Sequence, residues 1–199
     1  MLPPAPSDLG QFPWMRILEW SILISFLVGL YWAAKKIVEE KQTFSDTSYP
    51  FTWGRLELLI ANWWARDNNR FFRADTKYEW EATFQILNTN LTPAEYLKNW
   101  ELEQKIVFDE FETISSIQSS DLFKLIELNT EIEHFVRQEG TATKDQIERM
   151  YVDVVLFRFK NESDLYFASS ISSVLNGSLE GPFFEESLKL ASFSSKKMS

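Results

Sequence analysis

Hydrophobic and polar positions divide the chain into segments of different period. Residues 17–34 (ILEWSILISFLVGLYWAA) form an almost unbroken apolar run whose one charge is Glu19. Eighteen residues of helix rise about 27 Å, close to the hydrocarbon thickness of a bilayer. The run predicts a membrane helix over 16–36, after an N-terminal tail at 1–15. Trp14 and Tyr31-Trp32 stand where amphipathic rings favour the two interfaces, and Lys35 and Lys36 close the segment. No Lys or Arg precedes Arg16, and Trp32-Ala33-Ala34 is a poor cleavage site, so a retained anchor is expected rather than a signal peptide. Ser21, Ser25, Gly29 and Ala33 recur every fourth residue and share one face, the kind of stripe that lets membrane helices approach closely.

Beyond the anchor, residues 37–52 are polar and contain Pro50, which suggests a linker. From there to residue 191 most apolar positions fall at helical spacing. Leu56, Leu59, Ile60, Trp63 and Trp64 suggest a helix over 53–66. Thr92-Pro93-Ala94-Glu95 is a capping box with Pro at the first helical position, opening a helix over 93–113. Leu122, Leu125, Leu128, Ile132 and Phe135 suggest a helix over 121–139 that stops at Gly140. Thr143 with Gln146 reads as a second capping box, with an amphipathic face following from Ile147 to Phe157. Further helices are expected over 163–175 and 183–191, and 192–199 reads as a disordered tail. The sum is a mainly α protein, a transmembrane helix followed by a small helical bundle. One stretch disagrees. Tyr78, Trp80, Ala82, Phe84 and Ile86 alternate with polar residues at period 2, the best strand signal in the chain. It supports an α+β alternative with a strand near 78–87 and a hairpin near 152–171, turning around Lys160-Asn161-Glu162-Ser163.

Composition narrows the chemistry. The 199 residues hold no Cys and one His, which excludes disulfides, thiolate metal sites and cysteine nucleophiles. His134 alone cannot supply a His-pair zinc site. Glu131-x-x-His134 matches half of a carboxylate-bridged di-iron motif, but such sites need two copies. Asp109, Glu110 and Glu112 are acids that no spacing singles out. No catalytic, metal or cofactor residues are therefore assigned, and the chain is expected not to be an enzyme.

Charge shifts the emphasis to partners. Net charge is −9. Residues 35–77 are mildly basic, and residues 78–199 carry 11 basic and 21 acidic side chains. The stretch from Glu95 to Glu139 holds 11 acids against four bases and is the expected contact surface for a basic protein; nucleic acid would be repelled. Trp63, Trp64, Arg66, Arg70 and Arg73 mix aromatic and cationic groups soon after the anchor, a chemistry suited to lipid headgroups or a partner. Lys35, Lys36 and Lys41 follow the anchor and only Arg16 flanks it on the other side, which points the large domain to the cytoplasmic, matrix or stromal face of a bacterial or organellar inner membrane. The leading expectation is a non-catalytic single-pass subunit or assembly factor of a membrane complex (or homodimer), docked through the small-residue stripe and an acidic helical domain. The alternatives are a membrane-tethered adaptor that recruits a basic soluble partner and, third, an anchored enzyme with a borrowed cofactor.

Overall fold

The computed structural model describes residues 13–73, 80–109 and 119–194, without the side chains of 13–16, 33, 37, 120 and 175–179. The chain divides into two compact units, 1–45 and 46–199.

The first unit is carried by helix α1, Pro13–Thr47. Its apolar run has a mean hydropathy of 1.7 and none of it is buried. Exposed residues point in every direction around the axis, from Ile17 and Leu18 through Phe26 and Leu27 to Tyr31 and Trp32. A soluble core helix would hide at least one such face. One helix is thus long and apolar enough to cross a bilayer. It also continues through most of the 37–52 stretch read as a linker. Lys35–Glu39 and Lys36–Glu40, at 3.5 and 3.9 Å, are side-chain pairs one turn apart on its surface.

The second unit corrects the expected bundle: it is an α+β domain built on two antiparallel sheets. The smaller sheet has the order β1-β2-β10, from Tyr49–Trp53, Leu56–Ile60 and Ser192–Phe193. The larger has the order β3-β4-β5-β9-β8-β7-β6. Its strands are β3 Trp64–Asp67, β4 Arg70–Arg73, β5 Trp80–Asn88, β6 Ile106–Phe108, β7 Ile132–Lys144, β8 Glu148–Phe159 and β9 Asp164–Ser173. Four short helices join them: α2 Pro93–Gln104, α3 Ser119–Leu122, α4 Ile126–Glu131 and α5 Val174–Lys189.

The expected helix over 53–66 is instead the β1–β2 hairpin and the start of β3. The one over 121–139 is two short helices followed by β7, and the ones over 147–157 and 163–175 are β8 and β9. The reason lies in burial. β8 is buried without interruption from Val152 to Phe157 because both faces of the sheet are covered. One face packs Val152, Val154 and Leu156 with Leu165 and Phe167 against Leu97 and Trp100 of α2. The other packs Phe157 and Tyr166 with Phe84, Phe123 and Phe184. A strand buried on both sides shows a continuous apolar run, and such a run contains helical spacing as readily as any other. Where only one face is dry, the period survives: Trp80, Ala82 and Phe84 are buried on one side of β5, and Glu81 and Gln85 are half-exposed on the other.

Local chemistry fixes the turns. Asp145 and Gln146, the second of them taken from the expected capping box, have φ of 50° and 61° in the β7–β8 turn. Two left-handed central residues match the twist of a hairpin, and the Ile147 N–H closes it on Lys144 O at 3.0 Å. The β8–β9 turn falls at 160–163, with Asn161 left-handed at 61°. The first capping box is present: Glu95 N–H donates to Thr92 Oγ1, and Thr92 N–H donates to the Glu95 carboxylate at 2.8 Å. The helix it opens ends at Gln104 rather than 113, because Lys105 turns left-handed at φ 54° and the chain enters β6. Thr92→Ala should lower domain stability by about 1 kcal/mol, read as a shifted denaturation midpoint at unchanged slope.

Candidate functional site

Two buried charged assemblies and one open cleft stand out in the second unit.

The first assembly lies where α5 crosses β7 and β8. Glu139 pairs with Asp153 across the strands, and Arg137 pairs with Val155, so Arg137 and Asp153 are diagonal neighbours on one face. The Arg137 guanidinium grips Asp153 through two bonds of 3.0 and 2.8 Å, and reaches Glu139 at 2.8 Å and Glu185 of α5 at 3.0 Å. Lys189 pairs with Glu185, and the Tyr151 hydroxyl donates to Glu139. Burial dominates the ionisation of Asp153: it raises the carboxyl to about 6 against the pull of Arg137, with Glu139 and Glu185 pushing the same way as burial. The folded chain therefore takes up this proton at a pH where the unfolded chain, with its ordinary 3.8, does not. Asp153 adds stability as pH falls below about 6, and that contribution is lost as pH rises through it. Asp153→Asn should flatten the stability profile between about pH 4 and pH 6, checked by denaturation at closely spaced pH values.

The second assembly gathers residues expected to face lipid or a partner. Glu180 of α5, 2% exposed, accepts the indole N–H of Trp64 at 2.8 Å and that of Trp63 at 3.3 Å, and pairs with Arg73. Trp64 lies against Trp80 with centroids 4.5 Å apart, and Trp63 meets Phe183 edge-on. Arg70 forms a two-pronged pair with Glu81, and Arg66 lies over the Phe51 ring at 4.6 Å. The five side chains thus all have intrachain contacts. The buried carboxylate collects Trp63, Trp64 and Arg73, and nothing in their spacing announced Glu180, some 110 residues later.

The cleft, of about 580 Å3, opens between the β1–β2 turn and the start of β9. Gly54 and Arg55 are the two residues between paired Trp53 and Leu56. Gly54 alone has positive φ, 60°, the pattern of a type II′ hairpin turn. Glycine is required a second time by crowding: a Cβ there would lie 2.5 Å from both Ile86 Cδ1 and Tyr166 Oη. Arg55 N–H donates to the Tyr166 hydroxyl at 3.1 Å, while its guanidinium pairs with Glu162 at 2.5 Å and lies over the rings of Phe159 and Phe193. Ile86 and Tyr166 are opposed across β5 and β9, and Asp164 is two residues from Tyr166 on the same face.

The remaining candidates are dispersed. Glu131 ends α4 and His134 lies in β7, exposed and 4.0 Å from Glu133. Asp109 accepts from Thr141 and pairs with Arg149; Glu110 and Glu112 lie outside the described residues. Among the described residues no group of three His, Asp or Glu is placed to hold a metal ion. In α1, Ser21, Ser25 and Gly29 lie exposed, with the Ser21 hydroxyl turned back to Ile17 O at 2.8 Å. The Lys35 ammonium sits 5.5 Å from the Trp32 ring. Trp14 and Ala33 fall within the helix, their side chains outside the description.

No protein-family model matches the chain, and comparison with curated proteins finds no match.

Proposed function

We propose that this protein is a membrane-tethered adaptor: α1 anchors it, and the acidic α+β domain recruits a basic soluble partner. The observation that carries the reading is the division of labour along the chain. Residues 1–45 hold four basic and four acidic side chains, so the whole net charge of −9 falls on residues 46–199. The helix offers bilayer chemistry and no net charge; the domain has its own two-sided core and an acidic surplus. A field of that sign raises the local concentration of cationic partners and their rate of encounter. On the Lys35, Lys36 and Lys41 flank we place the domain on the cytoplasmic, matrix or stromal side.

Photocrosslinking from exposed domain positions such as Leu102 and Ile126, in intact membranes, tests this. The expected product is a soluble protein of high isoelectric point. Its capture should fall with added salt, since the screening length shrinks from about 10 Å at 0.1 M to about 3 Å at 1 M. A large detergent-stable assembly that resists salt and is lost on Gly29→Leu would overturn the adaptor in favour of a complex subunit docked through its helix.

A further inference from the structure

We infer that the cleft beside Gly54 is a docking pocket for an arginine or lysine side chain of the recruited partner. The inference rests on the adaptor reading and names where that recruitment is read out.

The cleft carries more acid than base. Glu162 and Asp164 face it with Arg55, and Arg55 is already committed to Glu162. Asp164 pairs with Asn88 along the strands, and among the described residues no hydrogen bond or ion pair engages its carboxylate. Tyr166 lines the same space, is 2% exposed, and accepts the Arg55 N–H, yet its own hydroxyl proton has no acceptor among the described residues. A buried O–H without an acceptor costs free energy that a ligand recovers by supplying one. Ile86 lines the cleft and leaves 39% of its surface exposed.

These three groups suit one occupant. A cationic head answers Asp164 in charge as well as by hydrogen bonding, where an apolar or anionic group would leave the carboxylate unanswered. The methylene stem of Lys or Arg covers Ile86 and the edge of Phe193, as such stems do on apolar surfaces. A peptide carbonyl beside that side chain accepts the Tyr166 proton. The cleft already displays a version of this arrangement in its own chain, where the Arg55 guanidinium sits on two aromatic rings with a carboxylate at its tip. A volume of about 580 Å3 is room for one long side chain with the peptide on either side of it. Charge, the orphaned donor and open apolar surface converge on the same ligand, whereas an acidic surface alone would attract any cation without selecting a side chain.

The test uses the full chain in nanodiscs of zwitterionic lipid, so that the membrane does not capture the probe. The probe is a fluorescent pentapeptide, Gly-Gly-Arg-Gly-Gly capped at both ends, with a norleucine peptide as control. The arginine peptide should bind and the norleucine peptide should not. Asp164→Asn should weaken binding at least tenfold, and Tyr166→Phe several-fold. Glu148→Gln, an exposed acid in another hairpin, should leave it unchanged. Unfolding midpoints of each variant confirm an intact domain, and amide shifts at Gly54 and Asp164 locate the probe. Equal binding of the norleucine peptide, undiminished binding to Asp164→Asn, or an equal loss in Glu148→Gln overturns the pocket. Failure of the two readings is separable. Salt-sensitive recruitment of a basic protein that survives Asp164→Asn removes the pocket and leaves the adaptor. Peptide binding at the cleft, with only a salt-resistant membrane assembly crosslinked to the chain, removes the adaptor and leaves the pocket.

Discussion

Replacing Arg137 with Met should destabilise the α+β domain by about 3–5 kcal/mol, a large share of a total expected to lie between about 5 and 15 kcal/mol. The guanidinium is 4% exposed and is the common partner of Asp153, Glu139 and Glu185. Removing it strands a carboxylate that is 2% exposed and has no route to water. Asp153 then has one escape, to hold its proton, so the variant should lose most stability at neutral pH and regain part of it in acid. A partner substitution separates the charge from the packing. Arg137→Met with Asp153→Leu replaces the buried pair by apolar groups of similar bulk, an exchange that is often neutral or better. Most of the loss should return in that double variant. Urea denaturation of the single and double variants at pH 5 and pH 7 measures all of these differences. Equal loss in both variants would mean that Arg137 acts through packing of its stem and not through its charge.

What the sequence made legible follows a physical divide. Features read from a few adjacent residues were recoverable. The capping box at Thr92 and Glu95 closes on itself within one turn, and the bare apolar run of α1 needs no partner to be recognised. The alternation through Trp80 and Phe84 survived because β5 is dry on one face, and the β8–β9 turn survived because Lys160-Asn161-Glu162-Ser163 separates two apolar runs. The bundle expected over most of the domain did not survive, because tertiary burial overrode spacing. Val152–Phe157 is covered on both faces, and its helical face was one of several patterns a solid run contains. The segment Leu122–Phe135 has helical spacing, yet it breaks at Phe123–Leu125 and again at Ile132, where pairing with Phe159 captures the chain. The cleft was harder still. Gly54, Ile86 and Tyr166 are scattered through the sequence and brought together by the register of β5 on β9 and by a turn. The available signal was Gly54 itself, a poor residue inside a supposed helix and a good one in a hairpin turn. The tail expected at 192–199 begins as β10, a short strand on β2; residues 195–199 lie outside the described part.

Phe157→Ala carries the other large expectation, a loss of about 3–5 kcal/mol, and explains the aromatic excess. The chain holds 17 Phe, 8 Trp and 6 Tyr, more than a surface for partners requires. Phe157 is fully buried and lies nearly parallel to Tyr166 at 5.1 Å, with Trp53, Phe123 and Phe159 edge-on around it. Through Trp53 and Phe84 the cluster continues to Phe71 and Phe184. Rings from β1, β4, β5, β8, β9 and α5, with Phe123 just after α3, therefore interlock between the two sheets and beneath the helices. Offset and edge-on pairs add about 0.5–1.5 kcal/mol each beyond area burial, and a void left at the centre cannot collapse when its walls are rigid rings. The substitution should also reach the cleft, because Tyr166 rests on Phe157 and its hydroxyl forms part of the cleft wall. The expected result is a lowered midpoint together with weaker binding of the arginine peptide in the still-folded fraction. Phe135→Ala provides the contrast. That residue is half-buried at the margin of the cluster: it opposes Phe157 across β7 and β8, its ring meets Phe123 edge-on, and among the described residues it has no ring contact with Tyr166. It should cost less stability and leave peptide binding intact. If both variants lose binding in proportion to stability, the cleft responds to global loosening. Binding lost in Phe157→Ala alone means that the aromatic core sets the position of the Tyr166 hydroxyl, so that the same rings hold the sheets together and present the donor at the surface.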